Sequence, residues 1–220
     1  MDRWMRDLSL LMQFAGLAWA LTIGWLYSAV YALSVCLFWL YSTPVARWKG
    51  DPLLSLLAIG ISTGTNSLLL GVMAAGSEWT LQLLFAAPGA AFIILSLYPV
   101  SQIYQLQSDR ERGDMTFALK YGLAGVRRFF SFSFILGLVL ISTALALEFR
   151  VLAGLFLILG GLVWVLLIIW IYGLEGKEEE YRIVMKIKFI TSFSFTAFIV
   201  ISILYIHTPD GIEWLNSLLF

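Results

Sequence analysis

Long apolar stretches alternate with short charged segments along nearly the whole chain. A membrane-spanning helix needs about 20 predominantly apolar residues, and the pattern predicts seven such helices. Their predicted bounds are 8–24, 26–42, 53–75, 81–104, 129–147, 151–174 and 189–206. The first two helices share one uncharged run, which we divide near Gly24 because it is too long for a single ordinary span. The predicted fold is therefore all-α: a polytopic membrane helical bundle forming one domain over residues 1–220.

Composition supports a lipid environment. The 220 residues are 60% hydrophobic and 13% charged, and the mean hydropathy is +0.89. A water-soluble domain carries about 25% charged residues, so that class is excluded. Lys plus Arg and Asp plus Glu are equal at 14 each, so no basic excess indicates a nucleic-acid partner. The lone Cys36 and the lone His207 exclude an internal disulfide and a Cys/His metal cluster.

The basic residues lie in alternate segments between the predicted helices. Cytoplasmic segments of membrane proteins are enriched in Lys and Arg. All but Arg150 lie before the first helix or in segments 43–52, 105–128 and 175–188. We therefore predict a cytoplasmic N-terminus, an outside C-terminus and the plasma membrane of a bacterium. Residues 208–220 are predicted to form a short interfacial helix on the outer surface.

A dense polar segment, 98–122, follows the fourth predicted helix at its cytoplasmic end. Gln105 and Asp109 are four residues apart and share a helix face, and Asp114 follows shortly. Mg²⁺ prefers oxygen ligands and usually binds through one or two carboxylates plus substrate phosphates. These three residues are therefore candidate Mg²⁺ ligands. The basic residues that can meet the phosphates are Arg110, Arg112 and Lys120.

A solvated loop is the alternative interpretation of the same segment. In that case Asp109 and Arg112 pair with each other at a spacing of three residues, and the basic residues only reflect membrane topology. In either case, Thr116 is expected to cap the helix that begins near Met115.

A second polar segment, 40–52, lies at the same predicted face. Tyr41 ends a helix there, and Arg47 and Lys49 follow in a short loop bounded by prolines. Two cations beside a phenol suit an anion. The alternative is that the basic residues only anchor the helix end at the membrane surface.

A third polar segment, 62–67, lies in the middle of the third predicted helix and includes Asn66. Polar groups at the bilayer centre face the bundle interior or a cavity, so Asn66 is a candidate for lining a substrate chamber. Small and hydroxyl residues also pack helices against each other, and that alternative stays open.

Two of these segments resemble motifs of the UbiA superfamily of intramembrane prenyltransferases. The run LYSTPVARWKGDPLLSLLAIGISTG at 40–64 resembles the loop and helix between that family's fourth and fifth spans. The run QIYQLQSDRERGDMTFALKYG at 102–122 resembles its second aspartate-rich motif, in which Gln105 replaces the first aspartate and Asp109 matches the second. The two runs lie at the expected separation.

The resemblance implies a bundle of about nine helices around a central cavity, with two aspartate-rich motifs that bind Mg²⁺ and a prenyl diphosphate. The enzyme would transfer the prenyl chain to an aromatic or other lipophilic acceptor. The seven helices here would correspond to the third to ninth of the family, in a chain shortened at its N-terminus and without the first aspartate-rich motif. The implied metal ligands are Asp109, Gln105 and Asp114, and the implied diphosphate-binding residues are Lys49, Arg47, Tyr41, Arg110 and Lys120.

Two other functions remain open. The same bundle can serve as a non-catalytic protein that binds an isoprenoid or assembles with a partner membrane enzyme. It can also serve as a small transporter with segment 62–67 as its midplane site.

Overall fold

The structure, a computed structural model, describes residues 3–207, and within this range it contains helices and connections but no strand. The α-helices are α1 (Arg3–Ile23), α2 (Trp25–Ser42), α3 (Pro52–Ile59), α4 (Asn66–Ala74), α5 (Leu81–Val100), α6 (Leu106–Glu111), α7 (Phe117–Ala146), α8 (Arg150–Tyr172) and α9 (Tyr181–Ile206). A π-helical turn, Gly60–Thr65, joins α3 to α4 into one continuous span. The interfacial helix predicted for 208–220 lies outside the described residues.

Six helical segments are long and apolar enough to cross a membrane. Two of them combine helices: α3 with α4, and α5 with α6. The other four contain the single helices α2, α7, α8 and α9. These segments confirm a polytopic helical bundle and make the chain an integral membrane protein. The first predicted span, 8–24, is the exception. It coincides with most of α1, which is not among the six segments, and it stays a prediction.

Two helices extend further toward the predicted cytoplasmic side than hydropathy indicates. α7 begins at Phe117 rather than at 129, although it is kinked at Gly122, whose backbone is not helical (φ 64°, ψ −178°). α9 begins at Tyr181 rather than at 189. Charged residues do not stop a helix once it leaves the hydrocarbon, provided that they find partners. Arg127 illustrates this on α7, because its guanidinium donates to the carbonyl oxygens of Tyr172 and Leu174, each at 2.9 Å, where α8 ends.

The core lies between α5, α7 and α8. Phe130 and Phe134 of α7 are fully buried, and Val100 of α5 and Leu167 of α8 are fully buried in the same cluster. Phe134 also contacts Phe195 of α9 edge to face, with ring centroids 6.1 Å apart. This apolar packing holds the cytoplasmic end of α5 in place, and α5 leads directly into the predicted motif.

The connections 43–51, 101–116 and 173–180 meet at one end of the bundle. The backbone N–H of Met115 donates to the carbonyl oxygen of Gly50 at 3.0 Å, which joins the first connection to the second. The rings of Tyr104 and Tyr181 pack edge to face at 5.1 Å, which brings α9 to the same place. The basic segments that were predicted to be cytoplasmic therefore gather at a single end.

The π-helical turn packs directly on α5 through a close backbone approach. A β-carbon added at Gly64 would lie 2.4 Å from the α-carbon of Ala91. The contact needs glycine, because the obstructing atom belongs to the backbone of the neighbouring helix. Small residues allow membrane helices to approach in this way.

We expect Gly64→Ala to destabilise the bundle by about 1–3 kcal/mol, because it overpacks this contact. Gly71→Ala is the matched control: it changes a glycine of the same span whose added β-carbon would meet nothing within 4 Å. Thermal unfolding in detergent should show a lower Tm for Gly64→Ala and an unchanged or higher Tm for Gly71→Ala. Equal Tm values for the two variants would contradict the packing account.

Candidate functional site

A polar pocket of about 150 Å³ lies where the first two connections meet. Ten residues line it, and all ten have polar or charged side chains. They are Tyr41, Lys49, Tyr98, Ser101, Gln102, Gln105, Asp109, Arg112, Asp114 and Thr116. The pocket brings together side chains from α2, the 43–51 connection, α5 and the 101–116 connection, so residues from both sequence motifs share one site.

Asp109 is buried at one wall of the pocket, with 4% of its side chain exposed. Its Oδ1 accepts a hydrogen bond from Nη2 of Arg112, and its Oδ2 accepts one from the hydroxyl of Thr116 at 3.2 Å. The pairing of Asp109 with Arg112 proposed for a solvated loop is therefore present, but the carboxylate lies inside the protein rather than in solvent.

Asp114 forms the opposite side of the same network. Its Oδ1 accepts from Nε of Arg47 at 2.7 Å, and its Oδ2 accepts from Nε of Arg112 at 3.3 Å. The hydrogen bond from Arg47 is the main reason why the pKa of Asp114 lies below its ordinary value. Burial opposes this shift, and Arg112 adds to it. The carboxylate is therefore charged at neutral pH.

The 43–51 connection has a backbone shaped for this contact. Arg47 has a φ of 46°, in the left-handed region, and no other non-glycine residue in the described chain has a positive φ. A β-carbon added at Gly50 would lie 2.8 Å from Oδ1 of Asp114, so glycine lets the loop approach the carboxylate. Asp51 then caps α3, accepting from the amides of Leu53 and Leu54 at 2.8 Å each.

Two phenols from membrane-spanning helices line the pocket together with its charged groups. The hydroxyl oxygens of Tyr41 and Tyr98 are 3.2 Å apart, and the two rings meet edge to face. Each tyrosine lies in the last turn of its helix, α2 or α5. The tyrosine pair therefore forms the part of the pocket that α2 and α5 contribute.

The other predicted site residues do not line the pocket. Arg47 reaches the network from the edge of the pocket, and Arg110 is exposed beside it. Lys120 is exposed and lies over the ring of Tyr121, 5.4 Å from its centroid. Asn66 is buried within the bundle, away from this pocket.

Asn66 takes part in helix packing. Its amide nitrogen donates to the hydroxyl of Ser34 at 2.9 Å and to the carbonyl oxygen of Val30 at 3.4 Å, both on α2. These bonds agree with the packing alternative for segment 62–67. Its assignment to a substrate cavity stays a prediction.

The sequence reasoning missed Tyr98, Ser101 and Gln102 as pocket residues. They fall on the same helical face as Gln105 and Asp109 when the spacing is followed backwards in steps of three and four. This spacing could therefore have predicted from the sequence that all five residues lie on one wall of the pocket.

Gln102 takes the capping role that was predicted for Thr116. Thr116 does occupy the N-cap position of α7, but it makes no side-chain capping bond and donates to Asp109 instead. The side-chain carbonyl of Gln102 accepts from the amide of Ala118 at 3.1 Å. The prediction for Thr116 was therefore wrong, because the buried carboxylate competes for its hydroxyl.

The donor set around Asp109 and Asp114 does not fit a magnesium centre as arranged. Both carboxylates are bonded to guanidinium groups, and Gln105 donates its amide to the phenol oxygen of Tyr104 at 2.7 Å. Within residues 3–207, no group of three or more His, Cys, Asp or Glu side chains is placed to hold a metal. Three cationic side chains, Arg47, Lys49 and Arg112, meet two carboxylates here. Magnesium binding stays a prediction.

The sequence model of the UbiA prenyltransferase family matches residues 5–206. The chain belongs to the UbiA prenyltransferase family. No curated protein and no solved structure matches it in the corresponding comparisons. The family match spans both connections that form the pocket and all six membrane-spanning segments. The protein is therefore a membrane protein of the prenyltransferase type.

We expect Arg47→Gln to lower the Tm at neutral pH and to reduce the further loss of Tm on acidification. A carboxyl whose pKa is lowered in the folded state stabilises the fold above its unfolded pKa, here near 3.8, and this stabilisation is lost as the pH falls through the folded value. Without Arg47 the folded pKa of Asp114 rises toward or above the unfolded value, so the variant has less of this stabilisation to lose and its Tm falls less below about pH 3.8. Tm measured against pH tests this expectation.

Arg128→Gln is the control for that measurement. Arg128 is an exposed arginine of α7 with no ion pair in the described part of the chain. Its variant should reproduce the wild-type profile. Superimposable profiles for Arg47→Gln and the wild type would show that the Asp114 network does not contribute to acid stability.

Gln102→Leu should lower the free energy of unfolding by about 1–3 kcal/mol, because the buried amide of Ala118 loses its acceptor. Gln107→Leu changes an exposed glutamine of the neighbouring helix α6 and should have a much smaller effect. Denaturant unfolding in detergent compares the two variants. Equal losses would argue against capping by Gln102.

Proposed function

We propose that the protein binds a prenyl diphosphate with its diphosphate group in the polar pocket and transfers the prenyl chain to a lipophilic acceptor. The observation that carries this proposal is a pocket lined only by polar and charged side chains at the end of an apolar membrane bundle. Its match to the UbiA family supports the same class of substrate.

The arrangement suits an amphipathic anion. Lys49 and Arg112 line the pocket, and a phosphate group can accept hydrogen bonds from both. Tyr41 and Tyr98, which line the same pocket, belong to membrane-spanning helices. A ligand with an anionic head and a long hydrocarbon tail therefore has a polar site for the head and an apolar medium for the tail.

Lys49 is the cation best placed to hold the head group. It lines the pocket, and within residues 3–207 it has no ion-pair partner. Its charge contributes to the lowered pKa of Asp114 from beyond ion-pair distance, so its ammonium group can still donate to a phosphate. Arg47, by contrast, is bound to Asp114 and acts by holding the 43–51 connection in place.

The proposed transfer is a substitution at C1 of the prenyl chain. The C1–O bond breaks with its electron pair on the diphosphate, and a nucleophilic atom of the acceptor forms the new bond to C1. The proton that the acceptor loses passes to the departing diphosphate. Positioned cations favour this step because negative charge develops on the leaving group. The rings of Tyr41 and Tyr98 supply π faces near the allylic carbons.

Binding of farnesyl diphosphate and of farnesol to the full chain in lipid nanodiscs tests the first half of this proposal. Farnesyl diphosphate should bind more tightly than farnesol. Lys49→Met should weaken only the diphosphate, by roughly ten- to hundredfold, because it removes a charged hydrogen bond. Lys186→Met is the control, since Lys186 is an exposed lysine of α9 outside the pocket. Equal affinity for both ligands would contradict the proposal.

Release of inorganic diphosphate tests the second half. Proteoliposomes made with a total lipid extract of the host should release diphosphate from geranyl, farnesyl or geranylgeranyl diphosphate, and Lys49→Met should reduce the rate. Tight binding without release for any chain length would instead indicate the non-catalytic isoprenoid-binding protein.

A further inference from the structure

Arg112 joins the two carboxylates of the pocket. Its Nη2 donates to Oδ1 of Asp109, and its Nε donates to Oδ2 of Asp114 at 3.3 Å. Both carboxylates are almost fully buried, whereas 47% of the Arg112 side chain is exposed. One guanidinium thus bridges two buried carboxylates, while part of the Arg112 side chain stays accessible to a ligand. A metal ion held by two carboxylates would lie in the same relation to them.

We propose that the guanidinium of Arg112 takes the place of a metal ion in this pocket, so that the protein binds diphosphate without Mg²⁺. This inference rests on the proposed function, because it concerns how the same pocket recognises the same head group. It assigns Asp109 and Asp114 to positioning Arg112 rather than to coordinating a cation.

The free donors of Arg112 can serve a phosphate. A guanidinium carries five N–H donors in a planar fork, and the two bonds to Asp109 and Asp114 use one donor each. The remaining donors are available on the exposed side of the group. Lys49 adds a second cation in the same pocket. A planar fork beside a point charge is a suitable arrangement for phosphate oxygens.

A metal ion would be unfavourable in the same place. It would have to displace Arg112 from two buried carboxylates and then lie beside the charges of Arg47 and Lys49. Repulsion between like charges is strong in a partly desolvated site. Removing Arg112 reverses the situation, because two buried carboxylates are then left without that cation and attract Mg²⁺.

The decisive experiment measures binding of farnesyl diphosphate to the full chain in nanodiscs, once in EDTA and once in Mg²⁺ at matched ionic strength. The wild type should bind equally well in both. Arg112→Ala should lose roughly ten- to hundredfold affinity in EDTA and should recover affinity when Mg²⁺ is added. Arg128→Ala, an exposed arginine of α7, should behave as the wild type.

The outcomes separate this inference from the proposed function. Binding by the wild type only in Mg²⁺ would overturn the role of Arg112 and leave prenyl diphosphate binding intact. No binding in either condition would overturn the proposed function itself. Equal loss for Arg112→Ala with and without Mg²⁺ would show that the guanidinium does not replace a metal.

A direct metal measurement keeps the inference testable if Arg112→Ala fails to fold. Mn²⁺ is followed by its electron paramagnetic resonance signal in the presence of farnesyl diphosphate and the wild-type protein. The signal should match that of the same mixture with empty nanodiscs. Immobilised Mn²⁺ on the wild type would overturn the inference, whereas immobilised Mn²⁺ only on Arg112→Gln would support it.

Discussion

The buried carboxylate of Asp114 determines the arrangement of the whole site. It accepts from Arg47 of the first connection and from Arg112 of the second, so a single charge joins segments that are 67 residues apart in the chain. Without the two arginines this carboxylate, whose side chain is 5% exposed, would be a nearly buried charge with no ion pair, which is costly. The backbone bond from Met115 to Gly50 follows from the same docking. The pocket exists because these two connections are held together.

The bilayer explains why this network is at one end of the molecule. Polar groups at membrane depth tend to bond within the bundle, as Asn66 does with Ser34, although the Oγ atoms of Ser133 and Ser142 on α7 are buried without a hydrogen bond. Charged side chains collect where the helices leave the hydrocarbon. The pocket formed there is lined by polar and charged side chains and lies at the end of an apolar bundle. This change from polar to apolar surroundings is the basis for proposing a ligand with an anionic head and an isoprenoid tail.

Much of the fold could be predicted from hydropathy, because every backbone group of a membrane helix is satisfied locally. Hydropathy missed the cytoplasmic extension of α7, where Arg127 bonds to the end of α8. Local spacing predicted that Gln105 and Asp109 would share a face. The contact of Arg47 with Asp114 could not be predicted in this way, because it depends on how two distant loops dock.

The same limit applies to the chemistry of the aspartates. A motif lists carboxylates but does not state which cation compensates them, and Mg²⁺ and guanidinium are both suitable partners. The two differ physically: a guanidinium is tethered, permanently charged and directional, whereas a metal ion dissociates and accepts ligands from several directions. In this chain Arg112 lies three residues after Asp109 and two before Asp114, so a short helical turn and the following loop deliver it to both carboxylates. A tethered cation needs no metal to assemble the pocket, and its planar fork would then fix the orientation of the bound phosphate.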